Sequence, residues 1–277
     1  MQNLKAGLLT KGVKVSVIIP CYNTGEYLEE AIQSVFQSSF QDFEIIVVND
    51  GSTEEATLSV LSSIDYPFTR LIHQENGGLA SARNFGVGMS SGDFLFFLDS
   101  DNRVRKGYFE KALEVFEANP NVGVVYSKPV FFGESTVPRF ESRVFNFEDL
   151  LAGNYIDACA FVRREAFEAI GGFDESRELK ISEDWEFWIR LAQTSWVFHF
   201  LDEELFDYRI RKDSMIGEQD QKKIETTLYY IGKKHGIVFH RHYRRYFKFV
   251  KSIESQPFTL FLKIIYYKYI LRKSILD

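Results

Sequence analysis

Asp99 and Asp101 are the residues whose type and spacing most directly suggest chemistry. They follow the apolar run 94–98, which is typical of a buried strand, and open α/β folds bind ligands at the carboxyl ends of such strands. Side chains two residues apart in an extended chain point to the same side. Two adjacent carboxylates suit Mg²⁺ or Mn²⁺, which often complete their coordination with substrate phosphates. A turn rich in Asp and Ser is the alternative interpretation of the same residues.

The elements that would position these carboxylates alternate between short apolar runs and amphipathic segments over the first 130 residues. This alternation predicts an α/β fold with a mostly parallel sheet and crossover helices. The predicted strands are residues 15–19, 44–48, 69–73, 94–98 and 122–126, and the predicted helices are 26–37, 53–64, 79–89 and 106–118. Polar loops follow the first four strands, so we expect these loops to meet at one edge of the sheet.

The second half is less regular. It predicts a strand at 157–163, helices at 164–170 and 183–193, and strands at 196–200 and 205–210. From residue 217 onward the pattern is helical, with breaks expected at Gly236 and Pro257.

Composition and charge limit the class of protein. The 277 residues include 45% apolar and 26% charged residues, which is ordinary for a globular chain. No apolar run is long enough for a transmembrane helix, and residues 1–14 lack the features of a secretion signal. Two cysteines, Cys21 and Cys159, fit a reducing compartment and are expected to be buried hydrophobic residues. We therefore expect a cytoplasmic protein.

The net charge of −6 hides a basic C-terminal segment, because residues 235–277 hold nine Lys or Arg and only two acids. The segment also contains many aromatic residues, which favours an interfacial amphipathic helix at the inner face of a membrane. Packing on the acidic remainder of the chain is an equally open interpretation. Nucleic-acid binding is disfavoured because that acidic remainder would repel phosphate.

Six motifs occur in a fixed order along the chain. They are Val-Ile-Ile-Pro-Cys-Tyr-Asn at 17–23, Val-Val-Asn-Asp-Gly-Ser at 47–52, Asn-Gly-Gly-Leu-Ala-Ser-Ala-Arg-Asn at 76–84, Asp-Ser-Asp at 99–101, Gly-Gly-Phe-Asp-Glu at 171–175 and Glu-Asp-Trp-Glu-Phe-Trp at 183–188. This ordered set resembles the inverting glycosyltransferases of family 2, which have the GT-A fold and transfer a sugar from a nucleotide-diphosphate donor. The resemblance covers about residues 14–216.

The resemblance implies a GT-A-type, Rossmann-like mixed and mostly parallel sheet flanked by helices. It implies a catalytic domain over residues 1–216, with a nucleotide-binding half at about 14–130 and an acceptor half at about 131–216. Residues 217–277 would form the helical extension.

The resemblance also implies nucleotide contacts, with UDP the expected carrier. The expected nucleotide-binding residues are Pro20, Tyr22, Asn23, Glu26, Asp50, Asn76, Arg83, Asp99 and Ser100. Local reasoning leaves alternatives: Asp50 suits a cap before Gly51, Glu26 suits the start of a helix, and Arg83 suits a salt bridge to a carboxylate at the sheet edge.

The same resemblance assigns Asp184 as the catalytic base and Asp101 as the ligand of a divalent cation, Mn²⁺ or Mg²⁺. Acids that complement a helix dipole are the alternative explanation of Glu183 and Asp184. Many relatives carry Tyr-Arg-x-His-x-x-Ser, whereas this chain has Arg211 in place of the histidine. Arginine does not ligate a cation but can pair with a diphosphate. The expected acceptor or diphosphate contacts are Glu183, Trp185, Arg209, Arg211 and Ser214.

The function expected from this resemblance is transfer of a sugar to an acceptor hydroxyl, in assembly of a bacterial-type surface polysaccharide or glycoconjugate. The acceptor would be a sugar, a lipid-linked intermediate or a protein. A nucleotidyltransferase and a non-catalytic protein that binds sugar nucleotides are the alternatives. The chain lacks the N-terminal glycine-rich loop expected of a nucleotidyltransferase. The intact Asp99, Asp101 and Asp184 disfavour a non-catalytic protein.

Overall fold

The computed structural model describes residues 14–179, 181–211, 221–255 and 257–271. These residues form two compact units, which divide after Thr227. The strands are β1 (Val15–Cys21), β2 (Phe43–Asp50), β3 (Thr69–Gln74), β4 (Phe94–Phe97), β5 (Arg103–Val104), β6 (Val122–Gly133), β7 (Phe161–Arg163) and β8 (Val197–Ile210). The first unit therefore holds an α/β fold, as expected.

Helices alternate with these strands. They are α1 (Gly25–Phe36), α2 (Glu55–Ser62), α3 (Leu79–Gly88), α4 (Tyr108–Ala118), α5 (Phe147–Ala152), α6 (Arg164–Ala169), α7 (Glu183–Leu191), α8 (Gln221–Lys234), α9 (Gly236–Ser255) and α10 (Pro257–Ile265). A π-helical segment, Tyr266–Leu271, follows α10. The expected breaks at Gly236 and Pro257 coincide with helix starts.

The strands form one eight-stranded sheet in the order β3-β2-β1-β4-β7-β6-β8-β5. The first four strands in this order pair in parallel. β7 is antiparallel to both β4 and β6, β6 is parallel to β8, and β5 is antiparallel to β8. The mixed, mostly parallel sheet expected from the sequence is confirmed.

The core lies on both faces of the central strands, whose apolar side chains are buried. Aromatic rings contribute much of this packing: the Phe96 and Phe161 rings stack at 4.4 Å, and Phe109 packs edge-on against Phe161 at 5.0 Å. A continuous apolar run such as 94–97 is what a strand covered on both faces requires. This packing fixes the carboxyl ends of β1, β2 and β4, where the candidate site lies.

Three sequence expectations need correction. The strands expected at 196–200 and 205–210 form one strand, β8, which pairs with β6 along its length. The register of this pairing is irregular near Ser127 and Lys128, and this irregularity accommodates the polar residues of β8 between the two expected strands. β6 also continues beyond residue 126 to Gly133. The short elements β5 and α5 were not expected, since two and six residues are too few to show a periodicity.

None of the described helices is both long and apolar enough to cross a bilayer.

Candidate active site

Four loops meet at the carboxyl edge of the sheet, after β1, β2, β3 and β4. The hydroxyls of Thr24 and Ser100 lie 2.7 Å apart and connect the first loop with the fourth. Asn23 Oδ1 accepts a hydrogen bond from the backbone N–H of Thr53 at 2.9 Å, which connects the first loop with the second. The clustering expected from the crossover geometry is therefore present.

Asp50 is a structural centre of this edge. Its side chain is buried and accepts hydrogen bonds from Gln74 Nε2 at 2.7 Å and from the backbone N–H groups of Gly77 and Gly78 at 2.8 and 3.0 Å. Gly78 has a φ of +87°, which favours glycine. Asp50 thus holds the glycine loop in place, and a contact with a nucleotide base stays a prediction.

Gly51 brings the second and third loops into direct contact. Its φ is +69°, and a Cβ added there would lie 2.7 Å from the backbone nitrogen of Asn76. The Asn76 side chain in turn donates from Nδ2 to the carbonyl oxygen of Asp50 at 3.0 Å. A larger residue at position 51 would separate these loops.

Arg83 connects two carboxylates that are far apart in sequence. Its guanidinium, 1% exposed, donates to Asp99 Oδ1 at 2.6 Å and to Glu183 Oε1. It also lies 5.3 Å from the ring centre of Phe173. Arg83 therefore makes the salt bridge to a sheet-edge carboxylate that was the alternative expectation. A role of Arg83 in nucleotide binding stays a prediction.

Asp101 lies in a different electrostatic setting. Arg211 Nε is 3.0 Å from Asp101 Oδ2, and Arg209 Nε donates to the backbone oxygen of Asp101 at 2.9 Å. Burial and then the charge of Asp99 raise the pKa of the Asp101 carboxyl to about 6, although Arg211 opposes this shift. The Arg209 guanidinium stacks 4.5 Å from the ring centre of Tyr27.

These residues fit a divalent cation that is held partly by substrate. The described residues contain no group of three or more His, Cys, Asp or Glu arranged to bind a metal. Mg²⁺ and chemically similar ions are often bound by one or two carboxylates together with substrate phosphates, and Asp101 beside Asp99 supplies such a donor set. Arg211 pairs with the oxygen that a cation would need, so cation binding would require this ion pair to open.

Asp184 is the second residue of α7 and lies at the same edge, close enough to Arg83 to interact with its charge. Its Oδ2 accepts a hydrogen bond from Asn154 Nδ2 at 2.9 Å, and its Oδ1 accepts from the backbone N–H of Trp185 at 2.8 Å. Burial, followed by the charges of Glu183 and Asp157, raises the pKa of the Asp184 carboxyl well above its usual value. Such a carboxylate binds a proton more readily than an exposed one.

Asp157 is a site residue that the sequence reasoning missed. Burial and then the charge of Asp99 raise the pKa of its carboxyl to about 7, and its Oδ1 accepts from the backbone N–H of Cys159 at 2.8 Å. Burial and the charge of Asp157 also raise the pKa of Tyr208. The one sequence signal for Asp157 is that an acidic residue occurs in an expected strand, but Asp157 belongs to none of the six ordered motifs.

Trp185 is placed for packing. Trp185 is 7% exposed, and its indole N–H donates to the carbonyl oxygen of Leu150 at 2.6 Å. Trp188 is fully buried and donates in the same way to the carbonyl oxygen of Ile156 at 2.8 Å. These two contacts anchor α7 to the segment that contains α5, and an acceptor contact by Trp185 stays a prediction.

Pro20, Tyr22 and Glu26 lie at or beside the first of these loops. Tyr22 is 48% exposed, whereas Pro20 is buried in β1. Glu26 is exposed in the first turn of α1, which agrees with the helix-start alternative. Ser214 lies outside the described residues.

The amino-acid sequence of this chain matches known families and proteins. The model of the family described as Glycosyl transferase family 2 matches residues 16–171, and that of Glycosyl transferase family group 2 matches residues 94–271. An uncharacterised glycosyltransferase of Haemophilus influenzae is 33% identical over 187 residues, which is 65% of this chain and 62% of that protein.

Two relatives in Bacillus subtilis differ in how much of their length is matched. EpsJ, an uncharacterised glycosyltransferase, is 31% identical over 83% of this chain and 70% of its own length. The minor teichoic acid biosynthesis protein GgaB is 29% identical over 75% of this chain but only 24% of its own length. This chain therefore spans a minor part of some relatives and less than two thirds of the H. influenzae protein.

Solved structures share the fold. S. aureus TarS in complex with UDP-GlcNAc has a TM-score of 0.63 and 21% identity, over 79% of this chain and 65% of that one. The mannosyltransferase PcManGT of Pyrobaculum calidifontis, in complex with GDP-Man and Mn²⁺, has a TM-score of 0.56 and 20% identity, over 73% and 58%.

Proposed function

The chain belongs to glycosyltransferase family 2, and from this premise we propose that it is an inverting, cation-dependent enzyme that transfers a sugar from a UDP-sugar to an acceptor hydroxyl. The single observation that carries the proposal is Asp184, a carboxylate of raised pKa beside the edge that holds Asp99 and Asp101. A proton acceptor beside a candidate diphosphate site is what a single displacement needs.

In the proposed reaction the acceptor oxygen attacks the anomeric carbon of the donor sugar. The new C–O bond forms as the bond from that carbon to the diphosphate oxygen breaks, and the diphosphate leaves with the electron pair. The acceptor proton passes to the Asp184 carboxylate, which Asn154 and the Trp185 N–H hold in orientation. Attack from the opposite face inverts the anomeric configuration.

The donor side is proposed to be held by the loops around Asp50, Arg83 and Asp99, with Tyr22 stacking on the base. Asp101 would bind the divalent cation, which when bound stabilises negative charge on the departing diphosphate. Arg211 and Arg209 carry positive charge at the same place and are suited to contact phosphate oxygens once the nucleotide is bound.

A thermal-shift panel of UDP, dTDP and GDP, each with Mn²⁺, Mg²⁺ or a chelator, tests the donor assignment. A ligand at one hundred times its Kd stabilises a folded protein by about 2.7 kcal/mol, and the stabilisation grows as the Kd falls. At equal concentrations, the preferred base and cation therefore raise the melting temperature most. Product analysis then separates the alternatives: release of nucleoside diphosphate supports glycosyl transfer, and pyrophosphate indicates a nucleotidyltransferase. Binding of UDP-sugars without turnover on a broad acceptor panel indicates a non-catalytic protein.

GgaB, as a minor teichoic acid biosynthesis protein, and TarS, in its complex with UDP-GlcNAc, support a surface glycopolymer as the proposed product class. The GDP-Man and Mn²⁺ complex of PcManGT supports the cation assignment and makes GDP the matched comparison in the panel.

The helices from Gly236 onward are proposed to contact the inner face of an anionic membrane. α9 holds five Arg or Lys and one acid. The exposed large apolar side chains of α9, α10 and the π-helical segment include Ile237, Tyr243, Tyr246, Phe247, Phe258, Phe261, Leu262, Ile265, Tyr266, Tyr269 and Ile270. Basic and aromatic residues together favour the headgroup region of anionic lipid.

Flotation with phosphatidylglycerol and phosphatidylcholine vesicles tests this contact. Binding to the anionic vesicles only, weakened by salt, supports it. Equal recovery with both vesicle types, or with neither, contradicts it.

A further inference from the structure

The carboxylate proposed to bind the divalent cation is paired with an arginine of the same chain. Arg211 Nε lies 3.0 Å from Asp101 Oδ2, and both side chains are largely buried. Opposite charges near a protein surface attract each other more strongly than in bulk water, because the effective dielectric constant is lower there. A cation that approaches Asp101 therefore competes with a positive charge that already holds one of its oxygens.

Hydrogen bonds hold the two segments that carry this ion pair against each other. Arg209 donates from its backbone N–H to Asn102 Oδ1 and from its Nε to the backbone oxygen of Asp101, both at 2.9 Å. The Arg209 guanidinium also pairs with Glu30 of α1. These contacts fix the end of β8 beside the loop after β4. Arg211 follows β8 directly, so the fold itself places its side chain next to Asp101.

Each carboxylate of the Asp-Ser-Asp motif has its own arginine, but the two ion pairs differ in burial. Arg83 pairs with Asp99 at 2.6 Å, is shared with Glu183 and is 1% exposed. Arg211 is 14% exposed. Breaking an ion pair costs more the deeper it is buried, since the separated charges recover less hydration. The pair between Arg211 and Asp101 is therefore the one that opens at the lower cost.

A nucleoside diphosphate would supply the partner that favours this opening. A guanidinium binds phosphate oxygens through two parallel hydrogen bonds, and these charge-assisted bonds are stronger than neutral ones. Once Arg211 pairs with a phosphate, both oxygens of Asp101 become available to a divalent cation, which itself commonly binds phosphate. Binding of the nucleotide and of the cation would then be coupled, and each would raise the affinity for the other by the same factor.

We propose that Arg211 competes with the divalent cation for Asp101 in the nucleotide-free protein, and that a nucleoside diphosphate removes this competition by pairing with the Arg211 guanidinium. The inference rests on the proposed donor site, to which it adds an order of binding with the nucleotide before the cation. The exchange involves ion pairs only, and no covalent bond forms or breaks.

Electron paramagnetic resonance of Mn²⁺ at pH 8 tests the competition, because it measures free Mn²⁺ and does not depend on turnover. The variant is Arg211→Met, which removes the charge and keeps an unbranched side chain. Without nucleotide, we expect Arg211→Met to bind Mn²⁺ about fivefold or more tightly than the unaltered protein. UDP should raise the Mn²⁺ affinity of the unaltered protein by a larger factor than that of Arg211→Met. Arg211→Gln, uncharged but polar, is a second variant with the same expected result.

Arg105→Met is the matched control. It removes the same charge four positions after Asp101, where Arg105 pairs with Asp207 and Glu204 and is partly exposed. Its Mn²⁺ affinity without nucleotide should stay within twofold of that of the unaltered protein. An equal gain in Arg105→Met and Arg211→Met would reveal a general effect of charge and overturn the inference.

Two other results would also overturn it. The first is unchanged or weaker Mn²⁺ binding by both Arg211 variants without nucleotide, and the second is an equal effect of UDP on Mn²⁺ affinity in the variants and the unaltered protein. Failure of the proposed donor site is distinguishable, because the unaltered protein would then bind neither UDP nor, with UDP present, Mn²⁺. That outcome would overturn both proposals together.

Discussion

Replacement of Arg83 by methionine tests whether the buried ion-pair network holds the site together. Arg83 is 1% exposed and is shared between Asp99 and Glu183, whose side chains are 28% and 11% exposed. Removing one partner of a buried pair typically costs about 3–5 kcal/mol, because the remaining charge is left without compensation. Glu183 should account for most of this loss, since the more exposed Asp99 recovers part of its hydration.

Urea unfolding without nucleotide measures the effect. We expect Arg83→Met to lower the free energy of unfolding by about 3–5 kcal/mol at pH 8. Adding Glu183→Gln should recover part of the loss. The control is Arg70→Met, which removes a half-exposed partner of Glu44 at 3.2 Å and should cost at most about 1 kcal/mol. Equal losses in Arg83→Met and Arg70→Met would refute the reasoning.

Three further outcomes follow from the same site. Asn154→Ala removes a hydrogen bond to the ionised Asp184, so the acid limb of the pH–rate profile should move to higher pH; an unmoved limb would exclude a positioning role. Asp157→Asn should stabilise the protein by on the order of 4 kcal/mol at pH 8, with no gain below about pH 4. The reason is that a carboxyl whose folded pKa is about 7 costs stability as the pH rises from its unfolded pKa through 7, and urea unfolding at both pH values decides this. Asp101→Ala should weaken Mn²⁺ binding in the presence of UDP at least tenfold by electron paramagnetic resonance, and unchanged affinity would remove Asp101 from the cation site.

The central strands and the edge that they build were predictable from the sequence because their signals are local. The apolar run before Asp99 is continuous, and each polar loop follows directly after such a run. The ordered motifs then identified the family, which the matches over residues 16–171 confirm.

Other features depend on contacts between distant residues and left no local signal. Arg83 and Glu183 lie 100 positions apart, so no local pattern favours this salt bridge over a nucleotide contact. Asp157 acquires its raised pKa from burial and from Asp99, which approaches only in the folded chain. The sequence predicts two strands where the structure has the single strand β8, because the polar residues in the middle of β8 resemble a turn. Pairing with β6 keeps these residues extended.

The most direct test of the proposed reaction is Asp184→Asn, measured for UDP release from a UDP-sugar with an acceptor glycoside and, in parallel, for UDP affinity by calorimetry. A general base typically contributes a factor of about 10²–10⁴ in rate, so turnover should fall by at least about a hundredfold. UDP affinity should change less than threefold, because Asp184 faces the acceptor side. Full turnover by Asp184→Asn, or loss of UDP binding in parallel with loss of turnover, would contradict its assignment as the base.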